Sequence, residues 1–464
     1  MQIALFVLLL LTWPDHHPQT ASEIDGTWTG AIEVYDQELN IQITFSFSDG
    51  ILDGIIDIPQ QDAYNLPVEV LDVDEENITF QFETGTGPAI FRGRWDAENE
   101  SIEGDFEQVG ETFPFKIIKQ SSVVDNGSNL IENEIIIPTR AGQISGNLTL
   151  QDHPAPLVLL LSGSGSQDRD ENMAGFRLFG TLSTELFEGG YSSFRFDDRG
   201  IGQSQGEEDA TLQELAEDLV DMIEYLTSNH EDQITDLILL GHNQGGLVAG
   251  LAAQETDVSG LIFMGSPFLR GDKIIDEQIR LISEQRDISD EVMQVNLEFQ
   301  SQIYEVVRSE SDWEEVEQNL ASRLRAQIDQ LPDRQREALG DMDGFIQSQI
   351  DRQLSTAKSR WFKSLIELDP AEVISELEEI PMLAVFGGKD TQVPAASNIE
   401  ACNQIASEFE LNLDIVVIDE ANHLFQRANT GMPSEYGMLG REFTGDFLDA
   451  VLNFLNNFRT VRSL

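Results

Sequence analysis

The chain has 464 residues, 40% of them apolar, which is enough for two or three domains with cores of their own. Its 84 acidic residues outnumber 27 basic ones for a formal charge of -57, and the excess runs along the whole chain. Phosphate binding needs a basic face, so nucleic acid is excluded as a partner. A carboxylate coat of this density reads as the solvated surface of a protein kept soluble at high salt. Cys402 is the single cysteine, which excludes an internal disulfide and a thiolate metal cluster. No His/Cys/Asp cluster has metal-ligand spacing, so no metal and no cofactor is expected.

In chain order, Met1 to Trp13 form an apolar stretch of signal-peptide length, with Pro14 and the small residues Ala21 and Ser22 after it. Residues 1–22 are expected to direct export to the periplasm or beyond and then to be removed; without a working signal the chain stays cytoplasmic. That run is too short to span a bilayer, and no later segment approaches the length required. From 25 to 120, short alternating runs such as Ile41 to Phe47 predict a small antiparallel β-barrel-like domain. Its opening Gly26-Thr27-Trp28 resembles the start of lipocalin-like barrels. Such a barrel could hold a ligand, but a packed appendage is the favoured expectation, since fold does not imply function.

A polar linker at 121–130 leads into residues 131–464. There, after a hairpin from Glu134 to Leu150, apolar runs at Pro156 to Leu161, Ser192 to Phe196, Leu237 to Leu240 and Gly260 to Met264 alternate with helical patterns. Buried strands alternating with helices predict an α/β domain with a mostly parallel sheet covered on both faces. Residues 268–370 switch to a polar helical period and read as an inserted helical cap, after which strands resume at Met382 and Leu413. Cap positions Ile279, Leu281, Leu297, Phe299, Ile303 and Val306 are expected to face either the body or a substrate.

The strand ending at Leu240 runs into Gly241-His242-Asn243-Gln244-Gly245, a G-x-S-x-G nucleophile elbow with asparagine in place of serine. The elbow needs a left-handed central residue, and Asn is among the few non-glycine residues that tolerate one. Its chemistry is lost, because an amide has no proton that a histidine base could remove to make a nucleophile.

Together with Ser162 to Asp170, Phe196 to Gly202, Trp361-Phe362 with Asp369-Pro370, and Asn422 to Gln426, this order of strands resembles the α/β-hydrolase superfamily. Within it, the motifs resemble bacterial esterases grouped beside dienelactone hydrolases and serine aminopeptidases, over roughly residues 130 to 460. The resemblance implies a helical cap over a mostly parallel sheet, and a small-molecule ester or amide as substrate. It implies Asp390 as acid and His423 as base, in the superfamily's chain order, with Asn243 at the nucleophile position. The oxyanion hole falls to the backbone N–H of Gln244 and to Ser164 or Gly165 in the glycine-rich loop. That loop lacks the lysine of a P-loop and the third glycine of a dinucleotide fingerprint. His242 is expected to pack, and Asp197, Asp198 and Arg199 to knit their turn together. Two functions compete: a carboxylic-ester hydrolase in an inactivated form, and a binding or scaffolding pseudoenzyme that keeps the pocket. The oligomeric state is not legible.

Overall fold

In the strand Gly87–Asp96, Ala89, Phe91 and Trp95 are buried while Pro88, Arg92 and Arg94 face solvent, the period-two alternation of a half-buried strand. Eight such strands, β1 (Gly26–Val34), β2 (Gln37–Ser48), β3 (Ile51–Ile58), β4 (Ala63–Val73), β5 (Asn77–Thr84), β6 (Gly87–Asp96), β7 (Ser101–Gln108) and β8 (Glu111–Lys119), pair antiparallel with their neighbours. Pairing of β1 with β8, Trp28 opposite Lys119 and Ile32 opposite Phe115, closes them into a barrel without free edges. Rings occupy its interior. Phe80 stacks on Phe91 at 4.6 Å, Phe115 meets Phe91 edge-on at 4.9 Å, and Trp28 meets Trp95 at 5.2 Å.

The computed structural model describes residues 24–119 apart from short connections between strands, 130–285, 288–329, 336 and 342–459. The expected signal segment 1–22 and the linker 121–129 lie outside the described residues. The chain divides into two compact units, residues 1–124 with 333–340, and 125–332 with 341–464.

The second unit is built on eight strands: β9 (Glu132–Thr139), β10 (Gly142–Thr149), β11 (Ala155–Leu161), β14 (Ser192–Phe196), β15 (Ile234–His242), β16 (Gly260–Met264), β17 (Met382–Gly387) and β18 (Leu413–Ile418), with a two-stranded ribbon, β12 (Asn172–Met173) and β13 (Phe176–Arg177), beside them. Their spatial order is β18-β17-β16-β15-β11-β14-β10-β9. The first six run parallel, and β10 is antiparallel to both β14 and β9.

All seven residues of β11 are buried, as a strand covered on both faces requires. Its side chains divide by parity. Leu157, Leu159 and Leu161 join Leu239, Phe263 and Phe386 in one core, and Val158 and Leu160 join Ile238, Met264 and Val385 in the other. The helix Leu212–Asn229 covers the first face and Gly445–Arg459 the second. The former begins in a capping box, Thr211 and Glu214 each bonding the other's backbone N–H.

Between β16 and β17 lie the helices Gly271–Gln285, Asp290–Ser309, Glu314–Ile328, Met342–Ser355 and Arg360–Glu367 and the short Pro370–Ile374. Their mixed, polar composition follows from covering one face and wetting the other. No helix among the described residues is long and apolar enough to cross a membrane.

Candidate functional site

Parallel strands deliver their loops to one edge of the sheet, at their C-terminal ends, and there the sequence motifs converge. The loop from Ser162 follows β11, the elbow follows β15, Asp390 follows β17 and His423 follows β18.

The elbow turns within five residues because two glycines let backbones touch. A Cβ on Gly241 would come within 2.2 Å of the Gly245 carbonyl carbon, and one on Gly245 within 2.4 Å of the Leu161 oxygen. Asn243 has a φ of 50°, the left-handed conformation expected, and its N–H donates to the Met264 carbonyl at 3.0 Å. Its side chain has an orientation fixed by its partners. Oδ1 accepts the Gln244 N–H at 2.7 Å, which leaves Nδ2 to donate to His423 Nε2 at 2.9 Å. The Ser164 hydroxyl reaches Oδ1 from the other side at 3.4 Å.

His423 Nε2 therefore accepts, and Nδ1 carries the proton, donating to Asp390 Oδ2 at 2.7 Å. Asp390 is 4% exposed and His423 1%. The second carboxylate oxygen, Oδ1, accepts the N–H groups of Gln392 at 2.7 Å and Val393 at 2.9 Å, so the acid cannot swing away from the ring. Asn422 shapes the loop that carries His423, its Oδ1 accepting from the N–H of Leu424 and of Gln426, each at 3.0 Å.

His242 does more than pack. Its Nδ1 lies 2.7 Å from Glu171 Oε1 and its Nε2 lies 3.1 Å from the His423 carbonyl oxygen. Two acceptors require two N–H donors, so the ring is an imidazolium paired with a carboxylate, and both are 1% exposed. Burial pushes its pKa down, but the Glu171 charge and hydrogen bond, the His423 carbonyl and Asp390 together raise it above the ordinary value. Its ring centre lies 4.5 Å from that of His423. Glu171 Oε1 also accepts the Gly163 N–H at 2.8 Å, which commits that amide and leaves Ser164 and Gly165 as the candidates for anion contact in the loop. Gly165 has a φ of +94°.

Asp197, Asp198 and Arg199 stand beside the site and hold its loops. Asp197 accepts from Arg169, whose Nε donates to Oδ1 at 3.0 Å. Asp198 accepts from Ser162 Oγ at 2.8 Å and from the Gln167 N–H at 2.9 Å. Arg199 pairs with Asp218 in the interior, Nε to Oδ2 at 2.5 Å. Burial pushes the Asp198 carboxyl up to about 7; the Gln167 and Ser162 hydrogen bonds oppose this, and the charges of Glu171 and Asp197 add to it.

The cap reaches the elbow through Trp361, whose indole N–H donates to Gln244 Oε1 at 2.6 Å. Gln244 Nε2 in turn donates to the Gly163 carbonyl at 3.1 Å. Asp209 holds the start of the helix that carries Trp361 by accepting the backbone N–H groups of Arg360 and Trp361 at 3.1 and 3.0 Å. Neither Glu171 nor a role for Trp361 emerges from the sequence alone. Of the cap positions Ile279, Leu281, Leu297, Phe299, Ile303 and Val306, none lines either cavity at the site. The cap lines them instead with Ile274 and Ile275 of its first helix, Thr356, and Trp361 and Leu365 of the helix Arg360–Glu367.

A mostly parallel eight-stranded sheet, an elbow after β15, and acid and histidine loops after β17 and β18 decide the architecture. The second unit has the α/β-hydrolase fold. The family profile described as "Serine aminopeptidase, S33" matches residues 175–332 of it. The chain is 22% identical over 353 residues to Esterase EstD of Thermotoga maritima, covering 75% of this chain and 71% of that protein. Among solved structures it is similar to the Pyrococcus furiosus esterase Pf2001, with a TM-score of 0.43 and 14% identity over 73% of this chain and 96% of that one. A thermophilic esterase from Thermogutta terrifontis gives a TM-score of 0.39 and 19% identity, over 71% of this chain and 100% of that one.

Proposed function

We propose that the second unit is the scaffold of a carboxylic-ester hydrolase working through a serine-histidine-aspartate acyl-enzyme, with Asn243 where the nucleophile belongs. The observation that carries this reading is the line Asn243-His423-Asp390, with 2.9 and 2.7 Å between successive partners, at the end of an elbow. With a hydroxyl at position 243, its oxygen bonds to the ester carbonyl carbon as its proton passes to His423 Nε2. The carbonyl oxygen takes the charge against the Gln244 N–H and an amide of Ser164 or Gly165. The C–O bond to the alcohol then breaks, and His423 returns the proton to the alcohol oxygen. Water repeats the sequence on the acyl group. Asp390 holds the tautomer and stabilises the imidazolium that forms.

Asparagine offers His423 no such proton, so the chain as it stands does not turn over esters. The similarity to an esterase supports esters as substrates, and the serine aminopeptidase profile supports amides as the alternative. A second reading, a binding protein that keeps the pocket, is favoured by the Asn243 amide itself. It engages both the Gln244 N–H and His423 and so satisfies the groups that a reaction would need free. A fluorophosphonate separates the two: mass spectrometry is expected to find it bonded to residue 243 in Asn243→Ser and absent from the parent. A folded Asn243→Ser protein that stays unlabelled contradicts the hydrolase reading.

A further inference from the structure

Two cavities of unequal size share the residues Ser164, Thr356 and Trp361 beside Asn243. The larger, about 600 Å³, opens at Ser164 and Gln244 and runs along the helix Leu212–Asn229 over a floor of Leu161, Phe196, Leu215, Leu219 and Val248. The smaller, about 210 Å³, contains Asn243 and His423 and lies under the cap residues Ile274, Ile275 and Leu365. Trp361 lines both, with Ser164 and Thr356. Its indole hydrogen bond to Gln244, with its backbone N–H held by the Asp209 carboxylate, makes it a fixed wall rather than a free rotor.

On the reading above, on which this inference rests, chemistry decides which half of an ester enters which cavity. His423 must return its proton to the leaving oxygen, so the alcohol half lies on the side that contains His423, and that is the small cavity. The carbonyl oxygen must meet the Gln244 N–H, where Asn243 Oδ1 now sits. The acyl substituent then points away from His423, into the large cavity bordered by Gln244 and Gly245. We propose that the site takes esters of bulky apolar carboxylic acids with small alcohols, and that Trp361 is the wall that sorts the two halves. The large cavity is apolar along its floor, so recognition there is by burial of hydrocarbon. Each added methylene is worth roughly a three- to fourfold gain until the cavity is full.

The test uses Asn243→Ser and two ester series, methyl esters of acids of rising chain length and acetates of alcohols of rising chain length. The expected result is a kcat/KM that climbs at least tenfold along the first series and does not climb along the second. Leu215→Trp, which narrows only the large cavity, is expected to lower the ratio of long-acyl to short-acyl activity at least tenfold. Ile275→Trp, which narrows only the small one, is expected to lower the ratio of long-alcohol to methyl esters. Both positions are half-buried, and the unsubstituted series tests the proposal even where a tryptophan disturbs folding. Turnover that climbs with the alcohol instead, or exchanged effects of the two tryptophans, overturns the assignment and leaves the hydrolase reading standing. A folded Asn243→Ser protein that turns over no member of either series overturns the hydrolase reading and the assignment with it.

Discussion

Asn243 donates from Nδ2 to His423 Nε2 across 2.9 Å while His423 donates from Nδ1 to Asp390 across 2.7 Å. One amide thus holds the imidazole in the tautomer that a general base needs, without supplying anything to deprotonate. Nitrogen NMR of the parent protein at neutral pH should show His423 protonated on Nδ1 and bare on Nε2. A predominant Nε2–H signal would contradict the hydrogen-bond directions described.

Glu171 and His242 form a buried ion pair that touches both the glycine loop and the His423 carbonyl. Removing one partner of such a pair costs about 3–5 kcal/mol, since the other charge stays buried. Glu171→Gln keeps the acceptor for Gly163 but removes the charge. A histidine whose pKa is raised on folding adds stability fully below its unfolded value, near 6.5, and loses that addition as pH rises through the folded value. The stability gap between parent and Glu171→Gln, measured by urea unfolding, should be widest below pH 6.5 and narrow at higher pH. A gap that is constant across pH would show that His242 is neutral.

Asp198 supplies an effect of the same sign from a different cause. Burial raises its carboxyl to about 7 from an ordinary 3.8, so the folded state keeps a proton that the unfolded chain releases. Stability from this group is present in full below the ordinary value and is lost as pH rises through about 7. Asp198→Asn should flatten the decline between those limits in a pH series of melting curves. An unchanged slope would show that the carboxyl ionises normally.

The charge of -57 predicts a fold that depends on salt. Repulsion between surface carboxylates reaches about 30 Å in 0.01 M salt and only about 3 Å in 1 M. Melting temperature should rise substantially from dilute buffer to molar sodium chloride. Part of any rise is a general salt effect on apolar burial, so the control is a variant with surface Asp and Glu replaced by Asn and Gln. An equal gain in that variant would remove the electrostatic explanation.

The sequence displays what is local. Gly241 to Gly245 announces its turn because the glycines that permit it and the left-handed asparagine fall within five residues. The parallel sheet was legible in fully apolar runs such as Ala155–Leu161, and the barrel strands in alternation such as that of Gly87–Asp96. A barrel-like domain was legible, but the pairing that closes it, Trp28 opposite Lys119 across the whole domain, was not. Glu171 escaped notice because it reaches His242 over 71 residues, and the role of Trp361 because it reaches Gln244 over 117. In the cap, apolar spacing marked positions that are buried or half-buried but not what they pack against. Ile303 and Leu297 are covered, yet Ile274 and Ile275 are the ones that face the site.

The central claim is that Asn243 occupies the position of a missing serine in an otherwise assembled ester-hydrolysing site. The direct measurement is kcat/KM on short-chain p-nitrophenyl esters for the parent and for Asn243→Ser, with circular dichroism confirming that both are folded. Loss of a triad nucleophile costs about a millionfold in a serine protease, and the remaining catalysis comes from the oxyanion hole and binding. Asn243→Ser should therefore exceed the parent by at least about a thousandfold. Equal rates in the two folded proteins would contradict the claim.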